Sequence, residues 1–449
     1  MVFSDEEGGR MEEIVLSPGD TAWILVSAAL VLLMLPGLAL FYGGMTRAKS
    51  TLNMMMMVMG ALALVGVLWV LYGYSLTFGE GGAFIGSATQ YLGLEGLMAD
   101  DPAATFPAMS FVAFQAMFAA ITVALIAGAV ADRVKFNAWL VFAGLWATLV
   151  YFPVAHWVWA AGGWIFEGLG PLNGTPAIDF AGGTAVHINA GVAGLALALV
   201  VGKRLGWPKT PMKPHNLTLV MIGAGLLWFG WFGFNAGSAL AANNTAAVVF
   251  VNTFVATCAA ALAWLVTEKI RDGHATSLGA ASGIVAGLVA ITPSCSAVSP
   301  IGAILIGIAA GVLCALAVGL KYKLKYDDSL DVVGVHLVGG LVGTLLIGLL
   351  ATEAAPAGVN GLFYGGGLTQ FWSQLIAAVA VLVFSFVVTL VIALILHKTM
   401  GMRIDEDDEV AGIDLTTHAE QAYELQESGS GGKFAGVGQA AAKKEEVSV

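Results

Sequence analysis

The chain has 449 residues, of which 58% are hydrophobic and only 11% are charged, and its formal net charge is -11. About a quarter of the residues of an ordinary soluble domain are charged, so this composition excludes a soluble enzyme and indicates a polytopic membrane protein. The three cysteines, Cys258, Cys295 and Cys314, lie in or beside apolar runs, which argues against a disulfide framework.

The sequence predicts an all-α protein with eleven membrane-spanning helices, because eleven apolar runs are long enough to cross about 30 Å of hydrocarbon. These runs cover roughly residues 22–43, 52–78, 108–131, 137–159, 181–201, 217–239, 244–267, 277–292, 298–320, 332–351 and 371–397. The eighth run is short and ends at Pro293. We therefore expect four regions: an extracellular segment 1–21, a transmembrane domain 22–398, a cytoplasmic segment 399–427 and a disordered, Gly-, Ala-, Lys- and Glu-rich tail 428–449.

Lysine and arginine alternate between the loops in step with these spans. Basic residues follow each odd-numbered span, whereas five intervening loops contain no Lys or Arg, namely 79–107, 160–180, 240–243, 293–297 and 352–370. By the positive-inside rule, this alternation predicts an external N-terminus and a cytoplasmic C-terminal tail.

The odd number of spans suggests two five-span repeats followed by one further span. Residues 37–44 in span one align weakly with residues 230–237 in span six, and spans five and ten share an Asp…Val-His pattern. Because five is odd, the second repeat is inverted relative to the first. Inverted repeats place substrate sites near the bilayer midplane, at the interface between the repeats.

Two histidines near the beginnings of predicted spans are each preceded by an acid. Asp179 stands eight residues before His187, and Asp331 stands five residues before His336. Ionisable groups inside a span are costly, so they indicate a functional site. At 1.5 Å per residue, His187 lies about 12 Å and His336 about 7–8 Å from its acid, so the pattern brings both histidines toward the midplane from opposite faces. The acids could cap the helix N-termini or bind a cation directly.

Aromatic residues and one hydroxyl share faces of spans three and six. Phe114 and Phe118 are four residues apart and so lie on one helix face. Trp231, Phe234 and Ser238 share a face of span six. Such faces could simply pack in the core, or they could form a receptor for a small cation through cation–π attraction and one hydrogen bond.

Two further interpretations concern the histidines. His187 and His336 could be metal ligands of an intramembrane enzyme, but a zinc site needs three or four protein ligands, and the sequence offers no third ligand at matching depth. We therefore expect no metal or other cofactor and no enzymatic activity. For His156, near the outer end of span four, the sequence favours a surface or interface role.

The motifs at residues 36–44, 179–187, 230–238 and 331–336 resemble signatures of the ammonium transporter (Amt) family. The similarity runs from about residue 17 to about residue 425. By this resemblance, the loop 160–178 is longer than in typical members, and the residues from about Ser428 onward match none of the family's segments.

The resemblance implies a homotrimer in the cell membrane, with one ammonium pore in each subunit and no nucleic-acid partner. It assigns recruitment of ammonium, or of its analogue methylammonium, to Trp159, Ser238 and Phe114, with which we group Trp231. It makes Phe118 and Phe234 a pair of stacked gate rings.

The resemblance also makes His187 and His336 the polar element of an apolar pore. We expect the cation to lose a proton and cross the pore as ammonia, because a bare cation is very costly in a low-dielectric interior. We further expect the proton to cross, so that transport is electrogenic. An ammonium sensor with the same fold is the alternative function. By the same resemblance, residues 412–423 form an ordered cytoplasmic segment, and a PII-type signalling protein regulates transport at the inner face.

Overall fold

The computed structural model describes residues 15–101, 104–210 and 212–423. The predicted tail 428–449 and most of the predicted N-terminal segment lie outside these residues. The described residues form helices joined by loops, with no strand longer than an isolated bridge. The all-α prediction is therefore confirmed.

Eleven principal helices form one bundle. They are α1 (Pro18–Met45), α2 (Ala48–Phe78), α3 (Ala108–Val130), α4 (Phe136–Trp159), α5 (Gly183–Val201), α6 (Leu217–Gly237), α7 (Asn244–Asp272), α8 (Ser277–Ile291), α9 (Pro300–Leu324), α10 (Val333–Leu350) and α11 (Thr369–Thr399). Within the described ranges, ten of these helices have at least 18 residues and are apolar enough to cross a membrane, and α8 is an apolar helix of 15 residues. The predicted short eighth span corresponds to α8, whose length is about 22 Å at 1.5 Å per residue.

Helices α1 and α6, which carry the similar segments of the two repeats, pack closely through glycines. A Cβ atom built on Gly223 of α6 would lie 2.4 Å from the backbone nitrogen of Phe41 in α1. A Cβ atom built on Gly44 of α1 would lie 2.9 Å from the backbone nitrogen of Val220 in α6. Small residues therefore allow the two backbones to approach each other, as in other membrane bundles.

The loops that follow α1, α3, α5 and α9 meet at one end of the bundle, which we call the basic face. Arg47 pairs with Asp132 at 3.2 Å, and Arg204 pairs with Asp327 at 2.8 Å. A longer contact of 3.8 Å between Arg204 and Asp132 links the two pairs, so the four loops are joined to one another. Their common location agrees with the predicted alternation of basic loops. We call the opposite end of the bundle the vestibule face, after the cavity described in the next subsection.

The C-terminal segment folds against the basic face in two short helices, α12 (Glu406–Ala411) and α13 (Ile413–His418). The Glu409 carboxylate pairs with Arg403 at 2.7 Å and accepts a hydrogen bond from the backbone N–H of Leu205. The Asp414 carboxylate accepts hydrogen bonds from the N–H groups of Leu52 and Asn53, at 3.0 and 2.8 Å. The segment therefore contacts both the first turns of α2 and the loop after α5.

His156 is fully buried, so the prediction of a surface role is wrong. Its Nδ1 atom lies 2.7 Å from the carbonyl oxygen of Thr77, and its Nε2 atom lies 2.8 Å from that of Gly82. The prediction failed because the loop after α2 folds back over the end of α4 and covers His156. The position of His156 near the end of a span does not indicate this contact.

Candidate functional site

Asp179 begins α5 by accepting hydrogen bonds from the first turn of the helix. Its two carboxylate oxygens lie 2.6–3.1 Å from the backbone nitrogens of residues 182–185, and one of them also accepts from the Thr184 hydroxyl. Five donors occupy a carboxylate that offers about four lone-pair sites. These contacts favour the capping interpretation of Asp179 over direct cation binding.

The corresponding acid of α10 is Asp328. Its carboxylate accepts from the N–H groups of Val332 and Val333, at 3.1 and 2.7 Å. Asp331 instead pairs with Lys321 at 2.6 Å. The sequence reasoning missed Asp328, although it stands eight residues before His336, the same spacing as Asp179 from His187.

The environment of Asp328 disfavours its charged form. Burial raises the pKa of this carboxyl to about 6, against the opposing effect of the nearby Lys321 ammonium, and the Asp331 carboxylate raises it further. The acid that caps α10 therefore titrates nearer to neutral pH than an ordinary aspartate does.

The two histidines meet in the centre of the bundle. His187 lies in a π-helical turn, Gly183–Ile188, and His336 lies in another, Val333–Leu337; such turns are frequent at functional sites. The two Nδ1 atoms are 3.3 Å apart, the ring centroids are 5.3 Å apart, and the rings are 1% and 3% exposed. One neutral imidazole can therefore donate a hydrogen bond to the other, which fixes complementary tautomers.

Two glycines, each four residues after a histidine, set the distance between α5 and α10. A Cβ atom on Gly191 would lie 2.4 Å from the backbone nitrogen of Leu337, the residue after His336. A Cβ atom on Gly340 would lie 3.1 Å from the backbone nitrogen of Ile188, the residue after His187. The close approach of the two backbones is thus reciprocal, as expected of related repeats.

The two predicted gate residues stack on each other. The Phe118 and Phe234 rings have centroids 4.1 Å apart and an interplanar angle of 22°. Offset or edge-to-face aromatic pairs of this kind contribute about 0.5–1.5 kcal/mol beyond their buried area. On one side the Phe118 ring packs edge-on against Trp159, and on the other the Phe234 ring lies 6.2 Å from the His187 ring.

A vestibule of about 650 Å³ lies on the Phe118 side of this pair. Three of the four predicted recruitment residues line it, namely Phe114, Trp159 and Ser238. Within the vestibule wall, the Trp159 Nε1–H donates to the backbone oxygen of Asp179 at 2.9 Å, and the Ser238 hydroxyl donates to that of Phe234 at 2.9 Å. Phe166 and Pro356, which sequence reasoning missed, line it from the loops after α4 and α10.

Trp231 is the exception, because it lies beyond the phenylalanine pair. Its indole stacks on the His187 ring, with centroids 5.4 Å apart and an interplanar angle of 17°. With His336 and Phe234, these two rings line an inner cavity of about 10 Å³, which is room for about one water molecule. The remaining lining is aliphatic or aromatic, so the histidines supply the polarity of this cavity.

The His187 Nε2 atom is buried and has no hydrogen-bond partner among the described residues. Buried polar atoms without partners are uncommon in folded proteins. The same ranges contain no group of three or more His, Cys, Asp and Glu side chains arranged to hold a metal ion. The site therefore combines two imidazoles, a small apolar cavity and a vestibule whose mostly apolar lining includes Gln115, Asp179 and Ser238.

Residues 22–423 match the model of the Ammonium Transporter Family. This chain belongs to that family. It is 63% identical over 431 residues to an ammonium transporter of Mycobacterium tuberculosis, covering 91% of this chain and 90% of that one. Its fold is similar to the crystal structure of Candida albicans Mep2, with a TM-score of 0.80, 35% identity and coverage of 88% of each chain. It is also similar to a structure titled Sensor Amt Protein, with a TM-score of 0.81, 27% identity and coverage of 89% and 98%.

The membership confirms the family inferred from the motifs. It makes the chain a multi-pass membrane transporter of ammonium. From the vestibule inward, the phenylalanine pair comes first, then Trp231 with His187, and then His336.

Proposed function

We propose that this ammonium transporter binds the ammonium cation in its vestibule, transfers a proton from the cation at the phenylalanine pair to the unpaired Nε2 atom of the neighbouring His187, and conducts ammonia past His187 and His336. The observation that carries the proposal is the inner cavity, where two hydrogen-bonded imidazoles face a space of about 10 Å³ without a carboxylate. Trp159 and Ser238 offer an aromatic face and a hydroxyl in the wider vestibule, with the Phe114 ring in its wall, a combination suited to a small cation.

The energetics favour loss of the proton before the inner cavity. An alkylammonium such as a lysine head group has a pKa of about 10.4, so the cation dominates in neutral solution. Transfer of an unpaired cation into an apolar interior costs far more than the few kcal/mol of a neutral amine. Potassium and sodium have no proton to lose, so the same step excludes them.

We propose that the released proton also crosses, with the two histidines as its relay, so that net charge moves. Neutral imidazole can accept a proton at one ring nitrogen while it donates the proton of the other. The 3.3 Å contact between the two Nδ1 atoms provides a direct link between the rings.

Purified protein in liposomes tests both parts of the proposal. We expect an ammonium concentration jump to produce a current, and an equal potassium jump to produce none. The double variant His187→Ala, His336→Ala should lose the flux or its selectivity. Active wild type without a current would contradict the electrogenic step, and a double variant with wild-type rate and selectivity would contradict the role of the histidines.

An ammonium sensor is the second candidate, favoured by the similarity to the structure titled Sensor Amt Protein. A sensor of this fold would bind ammonium without sustained flux. Binding to the wild-type protein in the absence of flux from liposomes would favour the sensor over the transporter.

We also propose that the protein is a homotrimer in the cell membrane, with the vestibule face outside and the basic face in the cytoplasm. The clustering of basic loops at one end supports this orientation. A cysteine placed at Lys209 should resist a membrane-impermeant reagent added to intact cells, and efficient labelling would contradict the topology. Native mass spectrometry in detergent should give the mass of three chains.

A PII-type protein at the basic face is the regulatory partner that we propose. The supporting observation is that Glu409 and Asp414 attach the C-terminal segment to the loops of this face. Truncation after Arg403 should change the transport rate or its regulation. Unchanged rate and unchanged response to the partner would exclude a regulatory role for the segment.

A further inference from the structure

The indole of Trp231 is held by a buried hydroxyl from another helix. Its Nε1–H donates to the Oγ1 atom of Thr292, just beyond the end of α8, at 2.8 Å. The single hydrogen of the Thr292 hydroxyl faces two acceptors, which share it: the backbone oxygen of Leu288 at 2.7 Å and the Oδ1 atom of Asn235 at 3.2 Å. The Asn235 amide in turn donates to the Oγ1 atom of Thr253 at 3.0 Å.

These polar groups satisfy one another away from solvent. Thr292, Asn235 and Thr253 are fully buried, and Trp231 is 2% exposed. A threonine hydroxyl can accept the indole hydrogen while donating its own, so each group has a partner. A buried network of this kind restricts its members to one arrangement, because an unpaired member is costly at low dielectric.

The segment that carries Thr292 also contacts the beginning of α5. The backbone oxygen of Pro293 accepts a hydrogen bond from the N–H of Phe180 at 3.2 Å. A Cβ atom on Gly183 would lie 2.5 Å from the Pro293 ring. The end of the short helix α8 thus contacts two partners, Trp231 and the turn that leads to His187.

We infer that Thr292, supported by Asn235, is a positioning residue that holds the Trp231 indole against His187 and thereby sets the selectivity of the inner cavity. The inference rests on the proposed function, because it assigns the cavity to ammonia. The cavity accommodates about one small molecule, and the Trp231 indole forms part of its wall. If the indole were free to tilt away from His187, the cavity would become wider. The flux of larger amines would then rise relative to the flux of ammonia.

The test compares two substitutions at Thr292 with a matched control. Thr292→Val keeps the side-chain shape but removes the hydroxyl, whereas Thr292→Ser keeps the hydroxyl. The control is Thr389→Val, because Thr389 of α11 accepts a hydrogen bond from the Trp146 indole at 2.9 Å and lines neither the vestibule nor the inner cavity. Initial rates of ammonium and methylammonium flux are measured in liposomes, together with the thermal melting of each protein.

We expect Thr292→Val to lower the ratio of ammonium to methylammonium flux by about tenfold, which matches the loss of one hydrogen bond to a buried donor. Thr292→Ser and Thr389→Val should stay within about twofold of the wild-type ratio, since the first keeps the bond and the second loses an equivalent bond elsewhere. A wild-type ratio in Thr292→Val, or an equal loss in Thr389→Val, would overturn the inference.

A double-mutant cycle separates positioning from a general loss of stability. In a Trp231→Phe background the indole N–H is absent, so Thr292→Val should change the flux ratio no further. An additional tenfold change there would show that Thr292 acts by another route and would overturn the inference. Wild-type liposomes without ammonium flux would overturn the proposed function and this inference together, whereas active wild type with an unaffected Thr292→Val variant would overturn the inference alone.

Discussion

Replacing Gly191 with alanine adds one methyl group at the closest contact between α5 and α10. The new Cβ atom would lie 2.4 Å from the backbone nitrogen of Leu337 and 2.8 Å from its Cα atom, whereas ordinary contacts begin at 3.4 Å. The obstacle is backbone, so no side-chain rotation relieves it. The two helices must therefore separate by about 1 Å, which is the difference between an ordinary contact of 3.4 Å and the contact of 2.4 Å.

This displacement acts directly on the histidine pair. Leu337 follows His336, so a shift of α10 by about 1 Å would extend the 3.3 Å contact between the two Nδ1 atoms beyond hydrogen-bond range. A misplacement of this size costs about a hundredfold in reactions that depend on oriented groups. We expect Gly191→Ala to lower ammonium flux by about ten- to a hundredfold and to cost about 1–3 kcal/mol of stability through overpacking.

Flux into liposomes and thermal melting in detergent would be measured on three variants. Gly340→Ala makes the reciprocal contact at 3.0–3.1 Å and should have a smaller effect. Gly66→Ala in α2 is the control, because its Cβ would meet no atom within 4 Å. Wild-type flux in a folded Gly191→Ala protein, or a larger loss in Gly340→Ala than in Gly191→Ala, would refute the argument that this contact sets the histidine geometry.

Three further predictions follow from individual contacts. Phe234→Ala should alter the rate and selectivity of flux without unfolding the protein, because it removes one ring of the stacked pair; matching rate and selectivity in liposomes would exclude the gate. Asp179→Asn should lose at least about 2 kcal/mol of stability, because an amide has one acceptor oxygen and would leave N–H groups of α5 unpaired; chemical unfolding in detergent measures this loss, and a neutral result would contradict the capping role. Because burial raises the pKa of Asp328 to about 6, its contribution to stability is fully present below the unfolded-state pKa of about 3.9 and is lost as the pH rises through 6. The melting temperature of the wild type should carry this decline between about pH 4 and pH 6, and Asp328→Asn should lack it; identical pH profiles would contradict the shift.

The membrane architecture could be predicted from the sequence alone. A segment inside hydrocarbon must satisfy its backbone polar groups internally, so each apolar run of sufficient length predicts a helix without knowledge of its neighbours. The run that ends at Pro293 predicted the short α8. Local motifs around His187 and His336 likewise indicated the family, because an ionisable residue inside a span is a strong signal wherever it occurs.

Lateral contacts between helices were decided by the tertiary structure. The spacing of eight residues was visible for both Asp179 and Asp328, but only the folded chain shows that Asp328 caps α10 while Asp331 pairs with Lys321. The shared helix face suggested a common role for Trp231 and Ser238, yet the phenylalanine pair lies between the two parts of that face.

The position of Thr292 shows why the sequence predicts the helices but does not predict the contacts between them. Hydropathy reports how each segment partitions between water and lipid, which is a local property of the chain. The hydrogen bond from Trp231 to Thr292 joins residues 61 positions apart, and the contact between the histidines joins residues 149 positions apart. Such partners depend on the rotation and depth of two packed helices, which small residues such as Gly191 and Gly340 determine only once the helices have met.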